Sequence, residues 1–212
     1  MTPWNGRCAL VLAGGGAEDP LARAHGVPSK ALVPLAGQPL ASYVLSALES
    51  APQIARVVYV GEASGLPKHP EAVAPGGSSL SESLRHGLAA SGGRPLLVLS
   101  ADIPWLRPEG LRAFLAHAPE ADLVYPIIPR AVAEAQFPGQ RRTYAKNQLA
   151  LARTVGPDIL LKLLLRRASL PELEARVGRL LGARARAWIS EDASLGADVD
   201  RPEHLAQGPA LS

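Results

Sequence analysis

Four short segments of this 212-residue chain carry residue types able to do chemistry. Gly14-Gly15-Gly16 follows the apolar run Cys8–Ala13, and Gly76-Gly77-Ser78-Ser79 precedes a helical segment. Asp102 ends the run Leu96-Leu97-Val98-Leu99-Ser100-Ala101, and Asp198-Val199-Asp200 lies just before Pro202. Glycines let a backbone approach a phosphate closely and aim its N–H groups at the oxygens. An aspartate at a strand end offers the hard oxygen that Mg²⁺ requires. Each segment has a structural alternative: a plain strand-to-helix turn for the glycines, a cap of the Pro104 turn for Asp102, and an N-cap or turn for Asp198 and Asp200. The first loop fits neither Gly-x-Gly-x-x-Gly nor the phosphate loop ending in Gly-Lys-Ser/Thr, which argues against dinucleotide and ATPase sites.

The elements that must position these segments follow from hydrophobic patterning. Residues 8–13 are a continuous apolar run, as expected of a strand buried on both faces of a parallel sheet, and residues 56–60, 95–99, 123–127 and 185–189 read as further strands. Between them lie helical patterns. Residues 38–50 put Leu40, Tyr43, Val44, Ala47 and Leu48 on one face. Ser78 or Ser79 can cap a helix with Leu80, Leu84, Gly87 and Leu88 inward, and Pro108 stands at a first helical position before Leu111, Phe114 and Leu115. Pro157 opens a helix with Leu160, Leu161, Leu164 and Leu165 inward, Pro171 a short one after Ser169, and Pro202 a last short one. Residues 61–77 read as loop, and 128–150 as irregular and polar. Alternating strands and helices predict one α/β domain over residues 1–212, three-layered, α/β/α and Rossmann-like, with a mostly parallel sheet. A flap or dimer arm is expected at 128–155.

Composition excludes several classes. Hydrophobic residues at 47% and charged residues at 19% rule out a disordered or fibrous chain. No apolar run approaches the roughly 18 residues of a membrane span, and the N-terminus lacks the basic-then-apolar order of a signal peptide, so a cytoplasmic protein without membrane contact is expected. The single cysteine, Cys8, can neither close an internal disulfide nor build a zinc site alone, and the five histidines show no ligand spacing. A net charge of +3 suits anionic small molecules as well as nucleic acid, but the two Phe and three Trp are scattered and offer no stacking surface. Only Lys30, Lys68, Lys146 and Lys162 are lysines among 22 basic residues, so a lysine inside a motif is informative.

One lysine is inside a motif. Leu12-Ala13-Gly14-Gly15, followed by Pro28-Ser29-Lys30-Ala31-Leu32-Val33-Pro34-Leu35-Ala36-Gly37-Gln38-Pro39-Leu40, resembles the nucleotidyltransferase superfamily, of nucleotide-diphospho-sugar transferase type. Further positions agree in order: Gly76-Gly77 with Ser83-Leu84 and Gly87-Leu88, Leu96–Pro104 with Asp102, and Asp198–Leu205. The last two are most similar to the molybdenum-cofactor guanylyl- and cytidylyltransferase branch.

The resemblance implies a Mg²⁺-dependent transfer of an NMP group from an NTP, GTP or CTP, to a phosphorylated or hydroxyl-bearing small molecule, with pyrophosphate released. It implies that Ala13, Gly14, Gly15, Gly16, Gly77 and Ser83 hold the nucleotide, that Lys30 neutralises the α-phosphate, and that Asp102 with Asp200, or else Asp198, holds Mg²⁺. A monomer or homodimer is expected. One departure concerns the triphosphate: the arginine common in the first loop is replaced by Asp19, after Glu18, and Arg23 is the expected substitute. A second is that the 140–155 region matches no substrate motif; Lys146 and Arg141-Arg142 are expected in a solvated loop, with contact to an acceptor phosphate as the alternative. Two other classes are consistent with these residues: a nucleotide-binding relative without catalysis, suggested by Glu18-Asp19, and a sugar-nucleotide-dependent glycosyltransferase. The latter class carries an Asp-x-Asp after a central strand, where this chain has Asp102 alone.

Overall fold

A computed structural model describes residues 6–14, 16–138 and 169–207. Gly15, Arg141, Arg142, Lys146 and the helix expected after Pro157 lie outside the described residues. The chain divides into two compact units, Met1–Ala116 with Asp192–Ser212, and His117–Glu191.

The first unit is built on β1 (Arg7–Leu12). Parallel neighbours flank it on both sides: β4 (Ile54–Val60), with Leu10 opposite Val58, and β6 (Leu96–Ser100), with Leu10 opposite Val98. A three-residue strand, β5 (Ala72–Ala74), adds to β4, giving the order β5-β4-β1-β6. The sheet is parallel throughout, as the apolar runs require. Cys8, Ala9, Leu10 and Val11 are wholly buried, so both faces of β1 are covered. Burial pushes the Cys8 thiol up against the smaller pull of Arg56 and Arg94, consistent with a packing role.

Helices α2 (Leu40–Glu49) and α3 (Leu80–Ala90) both pack against β1 and β4. The inner face of α2 is as expected, with Leu40, Val44, Ala47 and Leu48 buried. Ahead of it, β2 (Pro34–Leu35) and β3 (Gln38–Pro39) form a small antiparallel hairpin. Both turn residues, Ala36 and Gly37, have positive φ, and Tyr43 Oη donates to the Leu35 carbonyl at 2.6 Å.

In α3 the expected face is corrected. Leu80 and Leu88 are exposed, at 66% and 51%, and the residue nearest the sheet is Gly87. A Cβ at Gly87 would stand 3.0 Å from Leu10 and 3.1 Å from Val60, so the helix is seated at glycine distance and its leucines flank the contact. Gly87→Val is therefore expected to destabilise the fold by about 1–3 kcal/mol, read as a lowered urea midpoint; an unchanged midpoint would remove this close approach.

Two further elements of this unit are α1 (Pro20–His25), capped by Asp19, and α4 (Pro108–His117), with Leu111, Phe114 and Leu115 buried as expected. The second unit pairs β7 (Leu123–Ile127) parallel with β8 (Ala185–Ile189). It also holds α5 (Arg130–Gln136), within the stretch read as irregular, and α6 (Leu170–Leu181), which at 12 residues is not the short helix expected after Ser169. The α6 start is fixed by the Ser169 N–H and hydroxyl, both donating to Glu172. The last helix, α7 (Pro202–Gln207), returns to the first unit. Among the described residues no helix is long and apolar enough to cross a membrane.

Candidate active site

Beyond the carboxyl ends of β1 and β6 the backbone stays paired for one more step. Ala13 N–H donates to Val60 O at 2.9 Å, and Ala101 N–H to Leu12 O at 3.0 Å. This holds the two following turns side by side. A cavity of about 250 Å³ opens there, lined by Leu12, Gly14, Asp19, Lys30, Ala31 and the segment Ser100–Asp102. It lies where open α/β sheets bind ligands.

Lys30 reaches this cavity from a single turn of 3₁₀ helix, Lys30–Leu32. Ser29 caps that turn by accepting from Ala31 N–H at 3.3 Å, and Ala31, Leu32 and Val33 are buried. The lysine side chain then ends between two carboxylates. Its Nζ is 2.6 Å from Asp102 Oδ2 and 2.6 Å from Asp200 Oδ1, so those oxygens are no further apart than twice 2.6 Å. A lysine only 8% exposed requires such partners. Burial works against its proton, but Asp102 first and Asp200 after it outweigh burial and raise its pKa above the ordinary value.

The carboxylates are held from several directions. Ser100 Oγ donates to Asp102 Oδ1 in a short contact. Val199 N–H donates to the Asp102 carbonyl at 2.9 Å, which ties the late acidic segment to the end of β6. Asp200 N–H donates to Nδ1 of the buried His204 at 3.2 Å, turning the start of α7 into a support for Asp200. Asp198, beside Asp200, has its pKa raised by burial and then by the charges of Asp200 and Asp102. Burial also opposes ionisation of Asp200, but the Lys30 hydrogen bond and charge lead the groups that hold its pKa below the ordinary range. Among the described residues no three His, Cys, Asp or Glu side chains converge on one metal position.

The structure thus gathers Gly14, Lys30, Asp102 and Asp200 from four distant parts of the chain. Gly16 adjoins them through a bridge to Ser29. The second glycine loop lies near by: a Cβ at Gly61 would stand 2.8 Å from that of Ala13, and one at Gly76 3.5 Å from Gly61. Gly77 and Ser83 are bonded to each other, Gly77 N–H to Ser83 Oγ at 3.0 Å, and neither lines the Lys30 cavity. The Arg23 side chain is exposed on α1 and pairs with Glu18. Asp19, where an arginine was expected, accepts from Leu21 N–H at 2.9 Å and Ala22 N–H at 3.3 Å, a helix cap. Sequence reasoning passed over Ser100 and His204. The Ser-x-Asp spacing at a strand end and a histidine four residues after Asp200 were the available signals.

Residues 9–195 match the MobA-like NTP transferase domain family. The chain belongs to that family. It is also similar to a solved hypothetical transferase from Thermus thermophilus, with 42% identity and TM-score 0.84, covering 94% of this chain and 99% of that one. A nucleotidyl transferase from Methanothermobacter shares the fold at 20% identity and TM-score 0.58, covering 95% of both chains. Phosphoenolpyruvate guanylyltransferase of Geodermatophilus obscurus is 51% identical over 45 residues, a match spanning 21% of this chain and 21% of that protein. Family membership accords with the α/β sheet described above and with the motifs from which it was expected.

Proposed function

We propose that this protein is a Mg²⁺-dependent nucleotidyltransferase that moves an NMP group from an NTP to a small phosphorylated or hydroxyl-bearing acceptor. The observation that carries the reading is the placement of Lys30, Asp102 and Asp200 at the end of the sheet beside Gly14. An acceptor oxygen attacks the α-phosphorus in line, a new P–O bond forms, and the bond to the bridging oxygen breaks, releasing pyrophosphate. No protein nucleophile is required, so catalysis is positioning and charge neutralisation. Lys30 supplies a positive charge beside the α-phosphate, and the loop beginning at Gly14 offers backbone N–H groups to the triphosphate.

Mg²⁺ fits the donor set. Asp102 and Asp200 present hard oxygens that converge on one point, the Lys30 nitrogen, and Mg²⁺ characteristically combines one or two carboxylates with substrate phosphates and water. Bound there, the ion would polarise the reacting phosphate and neutralise charge that develops on it. GTP is the first nucleotide to test and CTP the second, because the Geodermatophilus relative is a guanylyltransferase; its name also puts phosphoenolpyruvate on the acceptor panel. A crystal soaked with mixed NTPs and Mg²⁺ should retain one base, with the triphosphate against Gly14. Nucleotide bound elsewhere would refute the assignment.

The first loop gives a separate prediction. A Cβ at Gly14 meets nothing within 4 Å, so Gly14→Val leaves the fold intact while placing methyl groups at the cavity wall. Calorimetry should then show at least about a tenfold loss of NTP affinity, equivalent to about 1.4 kcal/mol, with an unchanged melting temperature. Unaltered affinity would take the loop out of the site.

A further inference from the structure

We infer that Lys30 is a resident counter-ion that keeps a divalent cation off Asp102 and Asp200 until a nucleotide draws its ammonium away. The inference rests on the nucleotidyltransferase reading, which makes these carboxylates the cation's ligands, and it adds an order of binding to it. In the structure both carboxylates already share one counter-charge: Nζ sits 2.6 Å from an oxygen of each. A dication brought to the same two oxygens meets a fixed positive charge at contact distance, in a pocket where Lys30 and Asp102 are shielded from water. Asp198 lies beside Asp200 and feels the charges of both carboxylates, but among the described residues no three His, Cys, Asp or Glu side chains form a group that could hold the ion.

The lysine can leave, but only by its side chain. Its backbone is pinned in the capped 3₁₀ turn, with Ala31, Leu32 and Val33 buried behind it. The flexible stem spans a cavity whose wall carries Asp102 and also Gly14, at the head of the phosphate loop. A triphosphate on that loop offers the ammonium a stronger anionic partner and brings its own oxygens to the cation. Nucleotide and cation therefore favour each other, and the coupling runs equally in both directions. Lys30 thereby guards the carboxylates in the free protein and serves the phosphate in the complex. A lysine that only contacted phosphate would have no effect on cation binding in the absence of nucleotide.

That difference is the test. Mn²⁺ is titrated into the full chain and followed by electron paramagnetic resonance, without nucleotide and then with an α,β-methylene analogue of GTP or CTP that cannot react. The wild type should bind Mn²⁺ at least about tenfold more tightly with the analogue than without it. Lys30→Met and Lys30→Gln should each bind Mn²⁺ without nucleotide at least about tenfold more tightly than the wild type does. Adding Asp102→Asn to either variant should abolish the gain. Two substitutions of different polarity, each checked by circular dichroism, keep a folding defect in one from deciding the matter. Equal Mn²⁺ affinity of the nucleotide-free wild type and both variants overturns the inference, as does an absence of binding in all of them. Pyrophosphate release by the wild type then tells whether the functional reading falls too: release that persists spares it, and none with any NTP removes it.

Discussion

Lys30→Ala is expected to lower turnover by about two to three orders of magnitude, equivalent to about 3–4 kcal/mol, with a smaller loss of nucleotide affinity. The reason is where the charge is needed. Negative charge on the α-phosphoryl oxygens is redistributed as the attacking oxygen closes in, and a preorganised ammonium in a pocket shielded from water stabilises that arrangement more than the ground state. Lys30 is preorganised in this sense at its backbone, since its turn is capped by Ser29 and delivers the side chain to the cavity that Gly14 also lines. Steady-state kinetics with varied NTP should therefore show kcat falling more steeply than KM rises. A kcat within threefold of wild type would remove Lys30 from the chemistry.

Asp102→Asn should be as damaging, lowering turnover by about a thousandfold, or about 4 kcal/mol. Asparagine keeps the size of the side chain, and the bond from Val199 N–H goes to the Asp102 backbone carbonyl, so the link between β6 and the late acidic segment survives. What is lost is a negative charge facing Lys30 and the cation. Asp200→Asn should cost less, because that side chain is 60% exposed and water can replace one of its oxygens, whereas Asp102 is only 16% exposed. A variant at Asp102 that kept a tenth of wild-type activity would place the cation elsewhere.

The site was more legible in the sequence than its surroundings were. Gly14, Lys30 and Asp102 stood out because glycines, a rare lysine and a strand-end aspartate are chemically specific residue types at motif positions. Asp200 was favoured over Asp198 only through the resemblance, and it is the one bonded to Lys30. Burial on both faces left an unbroken hydrophobic run in β1, whereas β6, β7 and β8 were legible from their apolar composition although they expose Val98, Leu123 and Ile189. By contrast, β5 has three residues and no room for a period, and α1 is six residues held by the Asp19 cap rather than by an apolar stripe. In α5, alanines among polar residues sustain a helix after Pro129, aided by the pair Arg130–Glu134 at 2.6 Å. The exposed Leu80 and Leu88 misled because periodicity identifies an apolar face but not the distance at which a helix sits, and Gly87 sets that distance here. His204 was passed over for another reason: its partner is a backbone N–H, so its spacing from Asp200 was all that marked it.

The central claim is that the chain breaks the α–β phosphate bond of an NTP, and pyrophosphate release tests it most directly. Purified full-length protein is incubated with Mg²⁺, each of the four common NTPs, and a panel of phosphorylated and hydroxyl-bearing acceptors that includes phosphoenolpyruvate. Pyrophosphate should appear with one nucleotide, GTP before CTP, only when an acceptor is present, and should fall by two orders of magnitude or more in Lys30→Ala, about the loss expected of that variant. Tight NTP binding with no pyrophosphate from any nucleotide and acceptor pair would contradict the claim and leave a nucleotide-binding protein without catalysis.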